Sequence, residues 1–233
     1  PSFDDDPYSS PRGLLYAVID QLCQVINLAC RCFTNRIAEL RGPGGGSDLV
    51  ANDALRDCVE QYDKVRPRML VSLVPVGKYR MALRLSEEYR DFGSLVQVAM
   101  SCEGSSGQQL SGRRPDRITK YIDMYGKEFA VTLFDYYRER KAWWSLTDSE
   151  TSALDQWLHE YFDQAITEAR QAGDEQQQRI LLEVAWVHDI KLGDYSKAAE
   201  KLTRIGSTAS TINDRLTMLS LDKLVLLATL DDT

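Results

Sequence analysis

The chain has 233 residues, 43% of them hydrophobic, 27% charged and 9% aromatic, a composition that buries a core and is unlike that of a disordered segment. Against 35 Asp and Glu stand 28 Lys and Arg, for a net charge of −7, which argues against a nucleic-acid binder, whose phosphate contacts need a basic face. The longest unbroken apolar run is six residues, Leu14 to Ile19, short of the roughly 20 that span a bilayer, so no membrane-spanning segment is expected.

The chain opens on Pro1 with no initiator Met, charged leader or cleavage pattern, and reads as a piece of a longer protein. Ser10 then Pro11 predicts a capped helix start. Leu15, Ile19, Leu22, Ile26, Ala29, Phe33, Ile37 and Leu40 recur at steps of three and four, a helical period held to about Arg41. A second row, Leu14, Val18, Val25 and Cys32, widens the stripe and predicts burial against more than one neighbour. Cys23 and Cys30 share a face of this helix, whereas Cys32 points about 200° away from Cys30. With Cys58 and Cys102 the five cysteines match no disulfide framework. They read as small buried thiols of a reducing compartment, cytosol or nucleus. Gly42 to Ser47 ends the helix as a flexible loop.

Short helices follow, near 48–65, 67–75, 78–90, 94–103, 115–126, 127–145, 149–172, 175–191, 195–205 and 212–230. Pro67 suits a helix start, and Gly77, Gly93, Gly126, Gly173 and Gly193 sit where helices should stop. Glu103 to Arg114 reads as one long polar loop. No stretch alternates cleanly enough for a strand. Gly77-Lys78-Tyr79-x-x-Ala82 recurs as Gly193-Asp194-Tyr195-x-x-Ala198: glycine for a left-handed turn, alanine for close helix approach. The expected fold is all-α, an elongated irregular solenoid of helical hairpins. Residues 1–233 are expected to form a single stack, with the long first helix and Gly-rich loop over 1–47 and the hairpins over 48–233.

No residue pattern calls for catalysis, a cofactor or a metal. Asp91-Phe92-Gly93 spells a kinase metal-binding tripeptide, but the glycine-rich strand loop, strand lysine and His-Arg-Asp loop are missing. Read structurally, Asp91 caps the next helix, Phe92 packs inward and Gly93 turns the chain. His159-Glu160 opens like a zinc-protease helix, yet Asp163 stands where the second histidine belongs and His188 is remote. Arg113-Arg114-Pro115-Asp116-Arg117 reads as a solvated helix start. Trp143-Trp144 serves either core packing or an aromatic contact with a partner.

Leu85-Ser86-Glu87-Glu88-Tyr89-Arg90-Asp91-Phe92-Gly93-Ser94-Leu95-Val96 resembles a signature of the nucleoporin 133 family: Leu, small, Glu, variable, Tyr, variable, Asp-Phe, then Leu-Val. Three further blocks follow in family order. These are Tyr121 to Gly126 with Phe129 and Leu133 to Tyr137, then Trp186 to Ile190 leading into Gly193 to Ala199, then Leu219 to Leu224. Tyr136 replaces the tryptophan the family usually carries, and residues 154–183 are longer than its usual linker.

The resemblance implies a non-catalytic scaffold of the nuclear pore complex at the nuclear envelope, a segment of the outer-ring subunit's helical region. It implies other nucleoporins as partners, above all the nucleoporin 107 family subunit, through a docking surface beyond the last matching block, and no membrane contact by this segment. The alternative is a peptide-binding adaptor of tetratricopeptide type. From Leu224 the last helix becomes apolar all round, so Leu224, Leu226, Leu227 and Leu230 form the candidate interaction face.

Overall fold

The apolar spacing described above is helical throughout. Residues 11–42, 49–104, 116–142, 145 and 152–231 are described in a computed structural model, and among them there are ten helices and no strand. The segments around the Gly-rich loop, the polar stretch 105–115 with Arg113 and Arg114, and the Trp143–Trp144 pair lie outside the described residues. The chain divides into two compact units, residues 1–109 and 110–233.

The first unit contains α1 (Pro11–Arg41), α2 (Leu49–Val71), α3 (Tyr79–Glu88) and α4 (Phe92–Gly104). α1 lies along α2, and α3 packs on α4. Ile19, Cys23, Ile26 and Cys30 of α1 are buried, as are Leu70 and Leu73, and Phe33 stacks on Tyr62 with ring centroids 5.2 Å apart. Tyr89 ties α1 to the end of α3 by donating its hydroxyl to Asn27 Oδ1 at 2.8 Å. Burial first, and the nearby Glu88 carboxylate second, push this phenol up to about 12.

Pro67 does not start a helix: α2 runs through it without a break. Proline removes one backbone donor and crowds the carbonyl four residues back, so local preference alone favours a boundary there. Tertiary anchors on either side override it. Arg66 reaches Asp63 at 3.3 Å and the buried Asp91 at 3.2 Å, and Leu70 and Leu73 are fully buried just beyond. Asp91 caps α4 as expected, accepting from the Ser94 amide at 3.2 Å and its hydroxyl at 2.9 Å. Gly93, however, lies inside α4. The left-handed residue of this turn is Arg90, with φ of 48°.

The second unit contains α5 (Asp116–Tyr125), α6 (Lys127–Glu139), α7 (Ser152–Ala172), α8 (Glu175–Lys191), α9 (Tyr195–Thr208) and α10 (Ile212–Asp231). Each helix packs against the next in the chain, the arrangement of stacked hairpins. Asp174 caps α8 by accepting from the Gln177 amide at 2.9 Å, and Asp194 caps α9 through the Lys197 amide at 3.2 Å.

Gly193 turns α8 into α9 with φ of 76°, and Ala198 beneath it is fully buried. A Cβ at position 193 would meet nothing within 4 Å, so a substitution there strains the backbone and not a neighbour. Gly193→Val should cost about 1–2 kcal/mol through the left-handed conformation, and Ala198→Leu about 1–3 kcal/mol by overpacking. Thermal melts of both variants measure this; unchanged midpoints would contradict the turn geometry.

Candidate docking faces

Charged side chains buried between α7, α8 and α9 fix the second unit's helices relative to one another. Asp189 on α8 is 1% exposed and accepts from Lys201 Nζ of α9 at 2.6 Å and from His159 Nδ1 of α7 at 3.0 Å. Lys197 in turn donates to His159 Nε2 at 2.8 Å, so His159 carries its proton on Nδ1. Lys201 also lies 3.4 Å from Asp163. Two lysines thus fill the space between the His and Asp donors, and no group of three or more metal-ligating side chains occurs among the described residues.

His188 is a core residue: it is fully buried, and its Nε2 donates to the Asp155 carbonyl of α7 at 3.0 Å. Burial lowers its pKa below the usual imidazole value, more strongly than its carbonyl bond and the nearby Asp155 raise it. The unfolded chain therefore binds this proton more readily. Stability is complete above the unfolded value of about 6.5 and falls as pH drops toward the lower folded value. Melting temperature should decline between about pH 7 and pH 5, and less steeply in His188→Gln; parallel profiles would show that another group carries the slope.

The inward face of α10 closes the last core: Met218, Leu221 and Val225 meet Ala198, Ala199 and Leu202 of α9. Its outward face carries Ile212, Leu216, Leu219, Lys223 and Leu226, at steps of four, three, four and three. That is the a/d spacing of a helix that seats another helix. Ile212 is 78% exposed and Leu216 58%. Of the four leucines expected to form one face, Leu226 lies on this row and Leu227 beside it, both exposed. Leu224 is exposed too, but it sits about 200° around the helix from Leu226. The side chain of Leu230 lies outside those described. Ile212, Leu216 and Leu219, which are not among the four expected leucines, extend this row toward the start of α10.

The second row of α1 is also uncovered. Val18 is 60% and Val25 61% exposed, and Cys32 is exposed; Lys78 and Tyr89 at the two ends of α3 reach α1, but this row is left uncovered among the described residues. By length and composition α1 is the one described helix long and apolar enough to cross a membrane, and most of its apolar stretch is not buried. Counting unbroken runs missed this because single polar residues interrupt the apolar ones.

Consecutive packed helices, with apolar rows exposed on α1 and α10, define an all-α helical-stack protein. Residues 47–232 match the family model of the non-repetitive/WGA-negative nucleoporin C-terminal region, and the chain belongs to that family. It is 26% identical over 219 residues to nucleoporin nup132 of Schizosaccharomyces pombe, covering 93% of this chain and 17% of that protein. To nuclear pore complex protein Nup133 of Danio rerio it is 27% identical over 209 residues, covering 89% of this chain and 16% of that one. The chain thus spans about a sixth of the length of these relatives, in agreement with the four blocks that resemble the nucleoporin 133 family. No solved structure matches.

Proposed function

We propose that this chain is a non-catalytic scaffold segment of the nuclear pore complex, located at the nuclear envelope, that holds neighbouring nucleoporins through the outward row of α10. Its membership of the nucleoporin family over residues 47–232 carries this reading. The exposed row supports it physically, because each large apolar side chain covered by a partner contributes roughly 1.5–3 kcal/mol. The nucleoporin 107 family subunit is the partner to which the resemblance points. Both compact units serve the one scaffold role in this reading. Nothing in the helical arrangement favours a peptide-reading groove of tetratricopeptide type.

The test is capture of a purified nucleoporin 107 family subunit on the immobilised 233-residue chain. Capture by the wild type and its loss in Leu226→Glu/Leu227→Glu, with melting unchanged, is the expected result. Equal capture by both proteins, or none by the wild type, would remove α10 as the docking element.

A further inference from the structure

We propose that the groove between α7 and α9 binds an acidic segment of a partner protein, whose carboxylates are held by Arg170 and Arg204. The groove measures about 290 Å³. Four cations line it, Arg170, Lys197, Lys201 and Arg204, against two carboxylates, Asp163 and Glu200. In a chain of net charge −7 this is a local reversal of sign, and it calls for an occupant of negative charge.

The two ends of the groove are not alike. Lys197 lies 3.2 Å from Asp194 and donates to His159, and Lys201 is shared between Asp189 and Asp163. The lysine end is therefore neutralised from within. Arg170 and Arg204 make no ion pair with any described residue, and Glu200, one turn before Arg204 on α9, stays beyond ion-pair distance of both. These two guanidiniums are the groove's uncommitted charges.

Their spacing selects the occupant. α7 and α9 run side by side in a constant register: Lys197 meets His159 and Lys201 meets Asp163, each 38 residues apart in sequence. Carried forward, Arg204 comes level with Ile166, and Arg170 is anchored four residues, about 6 Å, beyond it. Carboxylates on successive turns of a helix, or on alternate residues of an extended chain, stand about 6–7 Å apart and match the pair. A guanidinium takes a carboxylate or a phosphate equally well by two parallel hydrogen bonds. Asp163 and Glu200 decide between them, because they repel a phosphate of charge near −2 about twice as strongly as a carboxylate.

The groove also opens away from α10. Gly206 abuts Met218 and Leu219 of α10, and nine residues separate it from Lys197, which puts the two on opposite sides of α9. An acidic segment here and a partner on the outward row of α10 do not compete for space.

Fluorescence anisotropy of a labelled alanine-rich peptide with glutamates four residues apart, titrated with the 233-residue chain, tests this. Binding should saturate, and the same peptide with glutamines should not bind. Arg170→Gln/Arg204→Gln should weaken binding at least fivefold with melting unchanged, since neither guanidinium has an ionic partner among the described residues. Arg80→Gln/Arg84→Gln on α3 removes the same charge elsewhere and should leave the affinity as it was. Leu226→Glu/Leu227→Glu should bind as the wild type does, which separates this groove from the role proposed for α10. Absence of binding at low ionic strength overturns the proposal. So does an equal loss in the two arginine pairs, the mark of diffuse attraction. Stronger competition by inorganic phosphate than by the unlabelled peptide would overturn it too, assigning the groove to a phosphorylated ligand.

Discussion

Replacing Lys201 with alanine should destabilise the second unit by about 3–5 kcal/mol, the usual consequence of leaving a buried charge without its partner. Asp189 is 1% exposed and has the Lys201 ammonium at 2.6 Å, with His159 as a second donor. With the ammonium removed, the carboxylate stays desolvated between three helices or draws water in among them. Asp189→Asn should be milder, because the amide oxygen still accepts from Lys201 or His159 and the lysine keeps the Asp163 carboxylate 3.4 Å away. Urea unfolding followed by circular dichroism, applied to both singles and the double variant, yields the coupling. Additive losses would mean that the two groups do not act as a pair. The net worth of the intact pair over an apolar replacement is a separate matter, since desolvation offsets most of the Coulomb attraction.

Phe129→Ala should cost a similar amount, about 3–5 kcal/mol. The ring is fully buried at the first turn of α6 and sits 5.6 Å from Tyr121 and 6.4 Å from Tyr125, both on α5. Truncation removes the contact that closes the α5–α6 hairpin and leaves a cavity that two tyrosines, tethered to their own helix, fill only in part. Phe129→Leu restores most of the volume and should recover more than half of the loss. Equal losses for alanine and leucine would place the energetic role in the ring contacts and not in filled volume.

Much of this architecture was legible in the sequence because it rests on local signals. Gly126, Gly173 and Gly193 take positive φ between helices, and Asp194 before Tyr195 caps α9 where the pattern placed a helix start. Pro67 and Gly93 were misleading for the same reason: their local preferences were read correctly, but Arg66 with Asp91 and the buried Leu70 hold a continuous helix through the proline. The network of His159, Asp189 and Lys201 joins residues 12 and 30 positions apart, and nothing in one helix announces a partner on another. On α10 the run of apolar residues was visible, while the outward row required knowing that Met218, Leu221 and Val225 face α9.

The central claim, that this chain is held in the nuclear pore scaffold by helix contacts, is tested most directly by where it resides. A fluorescently tagged 233-residue chain expressed in cells should concentrate at the nuclear rim and coincide with other outer-ring nucleoporins. Leu226→Glu/Leu227→Glu, equally abundant and equally stable, should lose that rim signal. A wild-type chain that stays evenly dispersed, or a rim signal indifferent to the two glutamates, would contradict the account.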